Sequence, residues 1–276
     1  MPFTILVTGC STGIGRAFAE ECCRRGHSVI ATARRRDSLV GLAAAGMRTL
    51  ALDVDDPTSI AALVAGLAAE GVEVDMLVNN AGYGAMGPLA ELPAGELEQQ
   101  FRTNVFGLMA VTQALVPGMA ARRRGRIVNI GSVSGVLPTP FSGAYCATKA
   151  AVHALSDALR LELAPFGIEV IVVQPGGIQS QFGATASQGA AGRSAGLSLY
   201  APVADAIAER ANASQQKATP TDEFARLMAD AVFAEKPVAR ARIGHGSTLM
   251  PLIKAMLPTR MLDRILSRRF RLDSLR

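Results

Sequence analysis

The chain has 276 residues, of which 49% are hydrophobic, 18% charged and 5% aromatic, and its formal net charge is +5. This length and apolar content favour one compact domain over residues 1–276. The basic excess is local, at residues 34–36, 122–126 and 260–276, and aromatic residues are scarce, which argues against nucleic-acid binding.

The four cysteines and three histidines lie at spacings that are not typical of a disulfide framework or a metal site. We therefore expect reduced thiols, no bound metal and a cytoplasmic location. An apolar strand begins at Phe3, where a signal peptide would need charge, and we see no apolar run of the roughly 20 residues that a membrane span needs.

The first element is a short apolar, β-branched run at residues 3–8, which predicts a strand buried on both faces. The turn GCSTGIG follows, and then a helical stretch that closes at Gly26. Glycines permit a tight turn and close approach of a ligand, and a helix N-terminus attracts a pyrophosphate. This pattern predicts a dinucleotide site at Gly9, Ser11, Thr12, Gly13, Ile14 and Gly15.

The next strands end in further candidate cofactor residues. The second strand, within residues 27–36, ends with Arg34 instead of a carboxylate, and this favours the 2′-phosphate of NADP(H) over NAD(H). A third strand ends near Asp53 and Val54; the Asp53 carboxylate either accepts from adenine or only caps a turn. A fourth strand runs into Asn79, followed by Asn80, Ala81 and Gly82.

A helical stretch over about residues 93–121 is interrupted at Asn104, which is costly in a helix unless its amide is needed. Ser132 follows a fifth strand. Tyr145 and Lys149 then lie four residues apart on a helix and so face the same side. We expect the ammonium to lower the pKa of the phenol and make it a general acid or base, although this spacing also arises by chance.

The sixth strand leads into a Pro-Gly-Gly turn at residues 175–177. Residues 180–200 are small, polar and aperiodic, which predicts a mobile loop that serves as a substrate lid or as a plain linker. Helices at about 201–217 and 221–234 and a strand near 240–244 follow. The basic and apolar extension 248–276 is expected to pack on the body or on a partner subunit, or, less favoured, on a membrane surface.

Taken together, these motifs resemble those of the short-chain dehydrogenase/reductase family over nearly the whole chain. The matching segments are TGCSTGIG at 8–15, NNAG at 79–82, Asn104, Ser132, YCATK at 145–149 and PGGI at 175–178. The resemblance implies an α/β fold: a three-layer, doubly wound Rossmann fold of about seven parallel strands with helices on both faces.

The resemblance also implies roles for the motif residues. Tyr145 would exchange a proton with the substrate oxygen, Lys149 would hold the nicotinamide ribose, and Ser132 would orient the substrate. Asn104 would anchor a water that links Lys149 to solvent. The remaining implied cofactor contacts are Asp53, Val54, Asn80, Ala81, Gly82, Pro175, Gly176 and Ile178. The chain departs from the family pattern at Thr12 and at Gln179-Ser180.

The expected activity is NADP(H)-dependent hydride transfer between nicotinamide C4 and a ketone or alcohol carbon. The alternatives are a non-catalytic NADP-binding sensor or scaffold and, less favoured, an epimerase or dehydratase. An apolar substrate is expected, and the extended basic C-terminal part resembles the hydroxysteroid and retinol dehydrogenase branch. Residues expected near the substrate are Ser132, Tyr145, Phe141, Phe182, Tyr83, Met86 and Leu137. We expect a homodimer or homotetramer.

Overall fold

A parallel sheet forms the centre of the protein. The structure is a computed structural model that describes residues 2–194 and 196–275. Seven strands pair in the order β3-β2-β1-β4-β5-β6-β7, and every pairing is parallel. Their bounds are β1 Thr4–Val7, β2 Ser28–Ala33, β3 Arg48–Ala51, β4 Met76–Asn79, β5 Gly125–Ile130, β6 Ile168–Pro175 and β7 Arg240–Ile243.

The central strands are apolar without alternation because both faces of the sheet are covered. Ile5 and Leu6 of β1 are both fully buried although they point to opposite faces. Ile5 belongs to one apolar cluster, and Leu6 belongs to another on the opposite face. The sheet thus has a hydrophobic core on each side.

Helices fill both layers. Their bounds are α1 Gly13–Arg24, α2 Val40–Ala44, α3 Pro57–Ala69, α4 Ala94–Phe101, α5 Leu108–Ala121, α6 Gly143–Leu163, α7 Gln181–Ser194, α8 Ala204–Asn212, α9 Thr221–Phe233, α10 Leu249–Met256 and α11 Thr259–Arg269. The apolar residues of α1, α2 and α9 pack on the Ile5 face of the sheet, and those of α3, α5 and α6 pack on the Leu6 face.

This arrangement confirms the predicted doubly wound fold. The order of strands reverses between β1 and β4, so the chain turns away in opposite directions from their carboxyl ends. A crevice at such a reversal is where ligands bind in open α/β sheets. The turn after β1, with its three glycines, lies at this point.

The predicted long helix is present, and a π-helical segment, Arg102–Gly107, separates α4 from α5. Asn104 lies in this segment, as expected of a position that interrupts regular helix. The composite helix Ala94–Ala121 is long and apolar enough to cross a membrane by those criteria. The buried residues of α5 face the sheet, so such a composition is equally typical of a core helix.

The prediction of a loop is wrong for residues 181–194, which form α7. The role of this segment as a substrate lid stays a prediction. The sequence is small and polar, with few apolar anchors to reveal a helical period. Phe182 and Ala186 lie four residues apart and pack in one cluster with residues of α8. Tertiary contact therefore determines helicity here, since intrinsic propensity is a weak guide.

The C-terminal extension forms α10, α11 and a final turn at Leu272–Leu275. Leu262 and Phe270 are buried, which agrees with the expectation that this segment packs on the body. Arg269 and Arg271 pair with Glu209 of α8. One face of the extension stays exposed, including Met256.

Candidate active site

The glycine turn after β1 is held in shape by Asn80. The Asn80 Nδ2 atom donates to the carbonyls of Thr8 and Gly9, at 2.9 and 3.0 Å. Gly9 has φ +72°, and a Cβ on Gly15 would lie 2.3 Å from Asn80 Nδ2, so neither position accepts a side chain. The amide of Asn80 therefore stabilises the turn.

The start of α1 has the features of a pyrophosphate site. Thr12 occupies the N-cap position, but its side chain makes no capping hydrogen bond. The first amide groups of the helix are then available to an anion, and the helix dipole favours negative charge there. Gly13 has φ +61°, and Ser11 and Ile14 complete the turn. These residues fit the phosphates of a dinucleotide.

Three other predicted cofactor residues lie around the same edge of the sheet. Arg34 is exposed directly after β2. The Asp53 carboxylate accepts from the backbone N–H of Asp55 at 3.0 Å, so it caps a turn in this structure. Val54 is buried, and its carbonyl would be 2.7 Å from a Cβ on Gly107, which explains the glycine in the π-helical segment.

Asn104 makes contacts on both sides of its amide. Its Oδ1 accepts from the backbone N–H of Tyr83 at 3.0 Å, and its Nδ2 donates to the Tyr83 carbonyl and to Thr148 Oγ1. Thr148 precedes Lys149 on α6. Asn104 thus fastens the segment after Gly82 to the helix that carries the Tyr-Lys pair. The water-anchoring role stays a prediction.

Ser132 and Tyr145 meet at the carboxyl end of β5. Ser132 follows the strand, and its Oγ accepts from the backbone N–H of Ser134 at 3.1 Å. Burial raises the pKa of the Tyr145 phenol to about 12, and a hydrogen bond with the Ser132 side chain acts in the opposite direction. The phenol is therefore protonated at neutral pH.

Lys149 lies one helical turn from Tyr145, but its charge points elsewhere. Its Nζ donates to the carbonyl of Ile130 at 2.7 Å and is 5.8 Å from the centre of the Tyr145 ring. Burial lowers the pKa of Lys149 to about 8. The expectation that the ammonium lowers the phenol's pKa is wrong for this structure, because the spacing fixes the Cβ atoms and not the end of a four-carbon side chain.

His153 is a neighbour of the site that the sequence did not indicate. It lies one turn beyond Lys149 on α6, and its Nε2 accepts from the backbone N–H of Ser132 at 3.3 Å. Burial, followed by the charge of Lys149, lowers its pKa to about 4, so the ring is neutral. Gly131 and Gly135 make room for it, since a Cβ on either would lie within 2.7 Å of the ring.

The turn after β6 lies on the other side of the crevice. A Cβ on Gly176 would be 2.0 Å from the carbonyl of His245, so this position requires glycine. Pro175 ends β6, and Ile178 is buried in the core on the Ile5 face. Ser180, where the chain departs from the family pattern, approaches the glycine turn: a Cβ on Gly13 would be 3.4 Å from the Ser180 Cβ.

Four of the predicted substrate residues, Met86, Phe141, Tyr145 and Phe182, lie in one apolar cluster, whereas Tyr83 and Ser132 lie outside it. We term it the substrate-side cluster, and its other members include Ala186, Tyr200, Ile207, Ala211 and Phe270. The rings of Phe182 and Tyr145 are 5.1 Å apart. Phe141 has φ +64°, an uncommon conformation for a bulky residue, and its carbonyl accepts from Gly87 N at 2.8 Å. Leu137 is buried outside the members of this cluster.

The family model described as short chain dehydrogenase matches residues 3–191. The chain belongs to the short-chain dehydrogenase/reductase family. It is similar to the uncharacterised oxidoreductase YbbO of Escherichia coli (strain K12), at 34% identity over 267 residues, covering 96% of this chain and 94% of that protein.

Two other relatives bear on its chemistry. The chain is similar to retinol dehydrogenase 8 of Bos taurus, at 31% identity over 278 residues, with 94% of this chain and 86% of that protein covered. Among solved structures, a short-chain dehydrogenase from Sphingobium yanoikuyae in complex with NADPH has a TM-score of 0.70 at 27% identity, with 99% and 95% of the two chains covered.

As a short-chain dehydrogenase/reductase, the protein binds a nicotinamide cofactor and is an NAD(P)-dependent oxidoreductase that acts on alcohol and carbonyl groups. Within residues 2–194 and 196–275, no cluster of three potential metal ligands is found. The arrangement offers a protonated phenol, a serine hydroxyl and a buried ammonium at the edge of the sheet where the glycine turn also lies.

Proposed function

We propose that the protein is an NADP(H)-dependent oxidoreductase that transfers a hydride between nicotinamide C4 and the ketone or alcohol carbon of an apolar substrate. The observation that carries this proposal is the shared edge of the sheet: Ser132, Tyr145 and Lys149 lie at the carboxyl end of β5, and the uncapped start of α1 follows the carboxyl end of β1. The glycine turn supports cofactor binding, and the phenol supports proton exchange with a substrate oxygen.

In this mechanism Tyr145 is the general acid or base. Its raised pKa keeps the proton on the phenol, which suits donation to a developing alkoxide during ketone reduction. Ser132, held by its bond from Ser134, orients the substrate oxygen. The bound cofactor supplies the hydride, and the protein supplies orientation and charge.

The cofactor would be held by residues from several strand ends. The turn from Gly9 to Gly15 would bind the pyrophosphate, and Asp53, Val54 and Ala81 would line the adenosine side. Lys149 would bind the nicotinamide ribose, while Pro175, Gly176 and Ile178 would flank the nicotinamide. Lys149 Nζ would then exchange its bond to the Ile130 carbonyl for cofactor contacts.

NADP(H) is proposed over NAD(H) because of Arg34. Its exposed guanidinium follows β2, where a planar cation can pair a 2′-phosphate through two hydrogen bonds. The relative from Sphingobium yanoikuyae was solved in complex with NADPH. In contrast, Asp37, the first carboxylate after β2, lies beyond three successive arginines.

The apolar nature of the substrate is supported by the substrate-side cluster. Met86 and Phe141 are almost fully buried, and the ring of Phe182 packs against Tyr145, with ring centres 5.1 Å apart and planes at 53°. A pocket with such a lining favours an apolar body next to the reacting carbon. The similarity to a retinol dehydrogenase points in the same direction.

The test is replacement of Tyr145 by Phe, with Tyr200→Phe as the matched control, since both lie in the substrate-side cluster. With NADPH and a panel of apolar ketones, Tyr145→Phe should lower kcat by about 100-fold or more, while NADPH still binds. Tyr200→Phe should change kcat by at most a few-fold. Wild-type turnover that survives in Tyr145→Phe would refute the assignment.

Arg34→Ala, compared with Arg35→Ala, tests the choice of cofactor. Loss of a charge-assisted contact to a 2′-phosphate should raise the Kd for NADPH by roughly tenfold or more and leave the Kd for NADH unchanged. Equal effects on both cofactors in Arg34→Ala would contradict the proposal.

The alternative function is a non-catalytic NADP-binding sensor or scaffold. Tight NADPH binding with no turnover of any ketone, aldehyde or alcohol would favour it. Helix α6 carries Tyr145 and contacts both Ser132 and Asn104. This arrangement favours an enzyme, because a sensor has no need of a proton-exchanging phenol.

We also propose a homodimer or homotetramer formed by one domain, residues 1–276, in the cytoplasm. Exposed apolar side chains on neighbouring helices support assembly: Phe106 is 61% exposed and Leu161 66%. All four cysteines are free, which supports a reducing compartment. Light scattering with Phe106→Lys should show loss of the oligomer.

A further inference from the structure

Helix α8 brings a guanidinium to the substrate side of the site. The Nε of Arg210 donates to Thr139 Oγ1 at 2.7 Å, and Thr139 in turn contacts Ser142 Oγ at 2.9 Å. Ser142 is the residue before α6, the helix that carries Tyr145. The Nε edge of the Arg210 guanidinium is thus held near the start of α6.

No carboxylate neutralises Arg210 within the described part of the chain. Its neighbour Glu209 is already paired with Arg269 and Arg271 of the C-terminal extension. The bond from Nε to Thr139 is the hydrogen bond that Arg210 makes to described residues, so both terminal nitrogens are left for another acceptor. These two nitrogens form the part of the fork that binds carboxylate or phosphate bidentately.

The surroundings make an unpaired cation costly. Arg210 is half-buried next to Ile207 and Ala211 of α8, which pack in the substrate-side cluster with Phe141. Burial lowers the pKa of the guanidinium, because the protein solvates this charge less well than water does. Its charge is also felt at Tyr145, where it acts against the effect of burial on the phenol's pKa. A charge in this position is stabilised once an anion binds.

We propose that Arg210 binds an oxyanion, carboxylate or phosphate, that is part of the substrate. The substrate is then amphiphilic, with an apolar body against Phe141 and Phe182 and an anionic group at Arg210. This inference rests on the proposed function and names its substrate class. Helix α8 then has a role in substrate choice, because a neutral ligand at this site would leave the Arg210 guanidinium unpaired.

A purely structural role for Arg210 makes a different prediction. If the side chain only supports Thr139 and the start of α6, its loss lowers stability and turnover for every ligand alike. If it binds an oxyanion, its loss affects charged ligands and spares neutral ligands of the same shape. Matched pairs of ligands therefore distinguish the two roles.

The binding experiment uses calorimetry on the NADPH-saturated protein with octanoate, octyl phosphate, octanol and inorganic phosphate. Octanoate or octyl phosphate should bind the wild type about tenfold or more tightly than octanol. Arg210→Met should remove this difference, Arg210→Lys should keep part of it, and Arg226→Met on the exposed face of α9 should leave it unchanged. Circular dichroism confirms that each variant is folded.

The turnover experiment uses 3-oxooctanoate and its methyl ester with NADPH. The acid should have the higher kcat/KM, and Arg210→Met should raise the KM of the acid while the KM of the ester stays within a few-fold. If neither compound is reduced but Arg210-dependent binding of octanoate is found, the oxyanion site stands and the proposed reaction fails.

Three results overturn the inference. One is equal binding of octanol and both anions by the wild type, or no binding of either anion up to about 10 mM. Another is an Arg210→Met variant, or its Arg210→Lys counterpart where Met unfolds the protein, with an unchanged preference for anions. The last is inorganic phosphate binding as tightly as octyl phosphate, which would show a site for free phosphate and not for a substrate.

Discussion

The cofactor side and the substrate side of the crevice are built by different means. On the cofactor side, Asn80 bonds the carbonyls of Thr8 and Gly9, so strand ends and backbone amides form the site. On the substrate side, helices α7 and α8 and the C-terminal extension meet through side chains such as Phe182 and Phe270. Backbone contacts fix one side, and side-chain packing forms the other.

This difference separates chemistry from specificity. Turns that require glycine, such as those at Gly9 and Gly176, tolerate few substitutions because a Cβ would lie within 2.8 Å of backbone atoms. Apart from Tyr145, whose hydroxyl is needed for the reaction, the substrate-side cluster can be repacked with other apolar residues of similar volume. Changes on the cofactor side should therefore abolish function, and changes on the substrate side should alter which compound is used.

Replacing Lys149 by Met should give the largest effect and should act in opposite directions on activity and stability. Turnover should fall by roughly 100-fold or more because the ammonium that would bind the nicotinamide ribose is lost, and the cofactor is then poorly positioned for hydride transfer. The free energy of unfolding at pH 7 should rise by about 1–3 kcal/mol, since burial of the charge lowers the pKa of Lys149 to about 8. Urea unfolding and steady-state kinetics measure the two effects.

The control for this variant is Lys236→Met, because Lys236 is exposed. It should change neither turnover nor stability appreciably. A less stable Lys149→Met protein would mean that the bond to the Ile130 carbonyl outweighs the cost of burying the charge.

Asn80→Ala should damage the cofactor side through the glycine turn. Two backbone carbonyls lose their amide donor, and stability should fall by about 1–3 kcal/mol. The Kd for NADPH should rise by about tenfold because the turn is no longer held for the pyrophosphate. Asn212→Ala, at an exposed position on α8, is the control. Unchanged cofactor affinity would show that the glycines alone set the turn.

The neutral state of His153 should make stability depend on pH. The ring has a pKa of about 4 in the folded protein and about 6.5 when unfolded, so below pH 6.5 the unfolded chain binds the proton first. Stability from this group is full above pH 6.5 and is lost as pH falls toward 4, by up to about 3 kcal/mol. Urea unfolding across this range measures it.

His153→Gln should flatten that dependence while Gln still offers an acceptor to the Ser132 N–H. The exposed His245→Gln variant should keep the wild-type slope. The pKa of His27 is also lowered by burial, so a shallower slope persists in His153→Gln. An unaltered slope in His153→Gln would show that this ring does not govern the transition.

Phe182→Ala should have the smallest effect of these variants, and it should affect the substrate side of the crevice without affecting the cofactor side. It removes the ring that lies 5.1 Å from Tyr145, so the KM for an apolar ketone should rise by about tenfold while the Kd for NADPH is unchanged. Phe166→Ala, at an exposed residue outside the substrate-side cluster, should leave the KM and the Kd for NADPH unchanged. A large rise in the Kd for NADPH in Phe182→Ala would show that this ring also supports the cofactor side.

The parts of the protein that depend on local pattern could be predicted from the sequence. All seven strands were predicted from the sequence, those at the centre of the sheet from apolar runs, and the strand-glycine-helix pattern placed the turn at Gly9 correctly. At the start of α3, Asp56 and Pro57 form a local pattern that is typical of a helix N-terminus, and the Asp56 carboxylate accepts from Thr58 N. In each case the determining contacts lie within a few residues along the chain.

The parts of the protein that depend on contacts between distant residues could not be predicted from the sequence. Helix α7 is stabilised by packing on α8, which small residues do not reveal. His153 contacts Ser132 across 21 residues, and Arg210 reaches Thr139 across 71. The direction of the Lys149 ammonium was also unpredictable, because the carbonyl that it contacts belongs to a different element, β5.

The edge of the Phe270 ring meets Phe141, with ring centres 6.1 Å apart and planes at 88°. Residue 270 follows the glycine turn along the chain and so leaves the ribosome after it. During synthesis the residues of the glycine turn are therefore made long before Phe270, which completes the substrate-side cluster. Proteolytic removal of residue 270 should loosen substrate selectivity before it affects nucleotide binding.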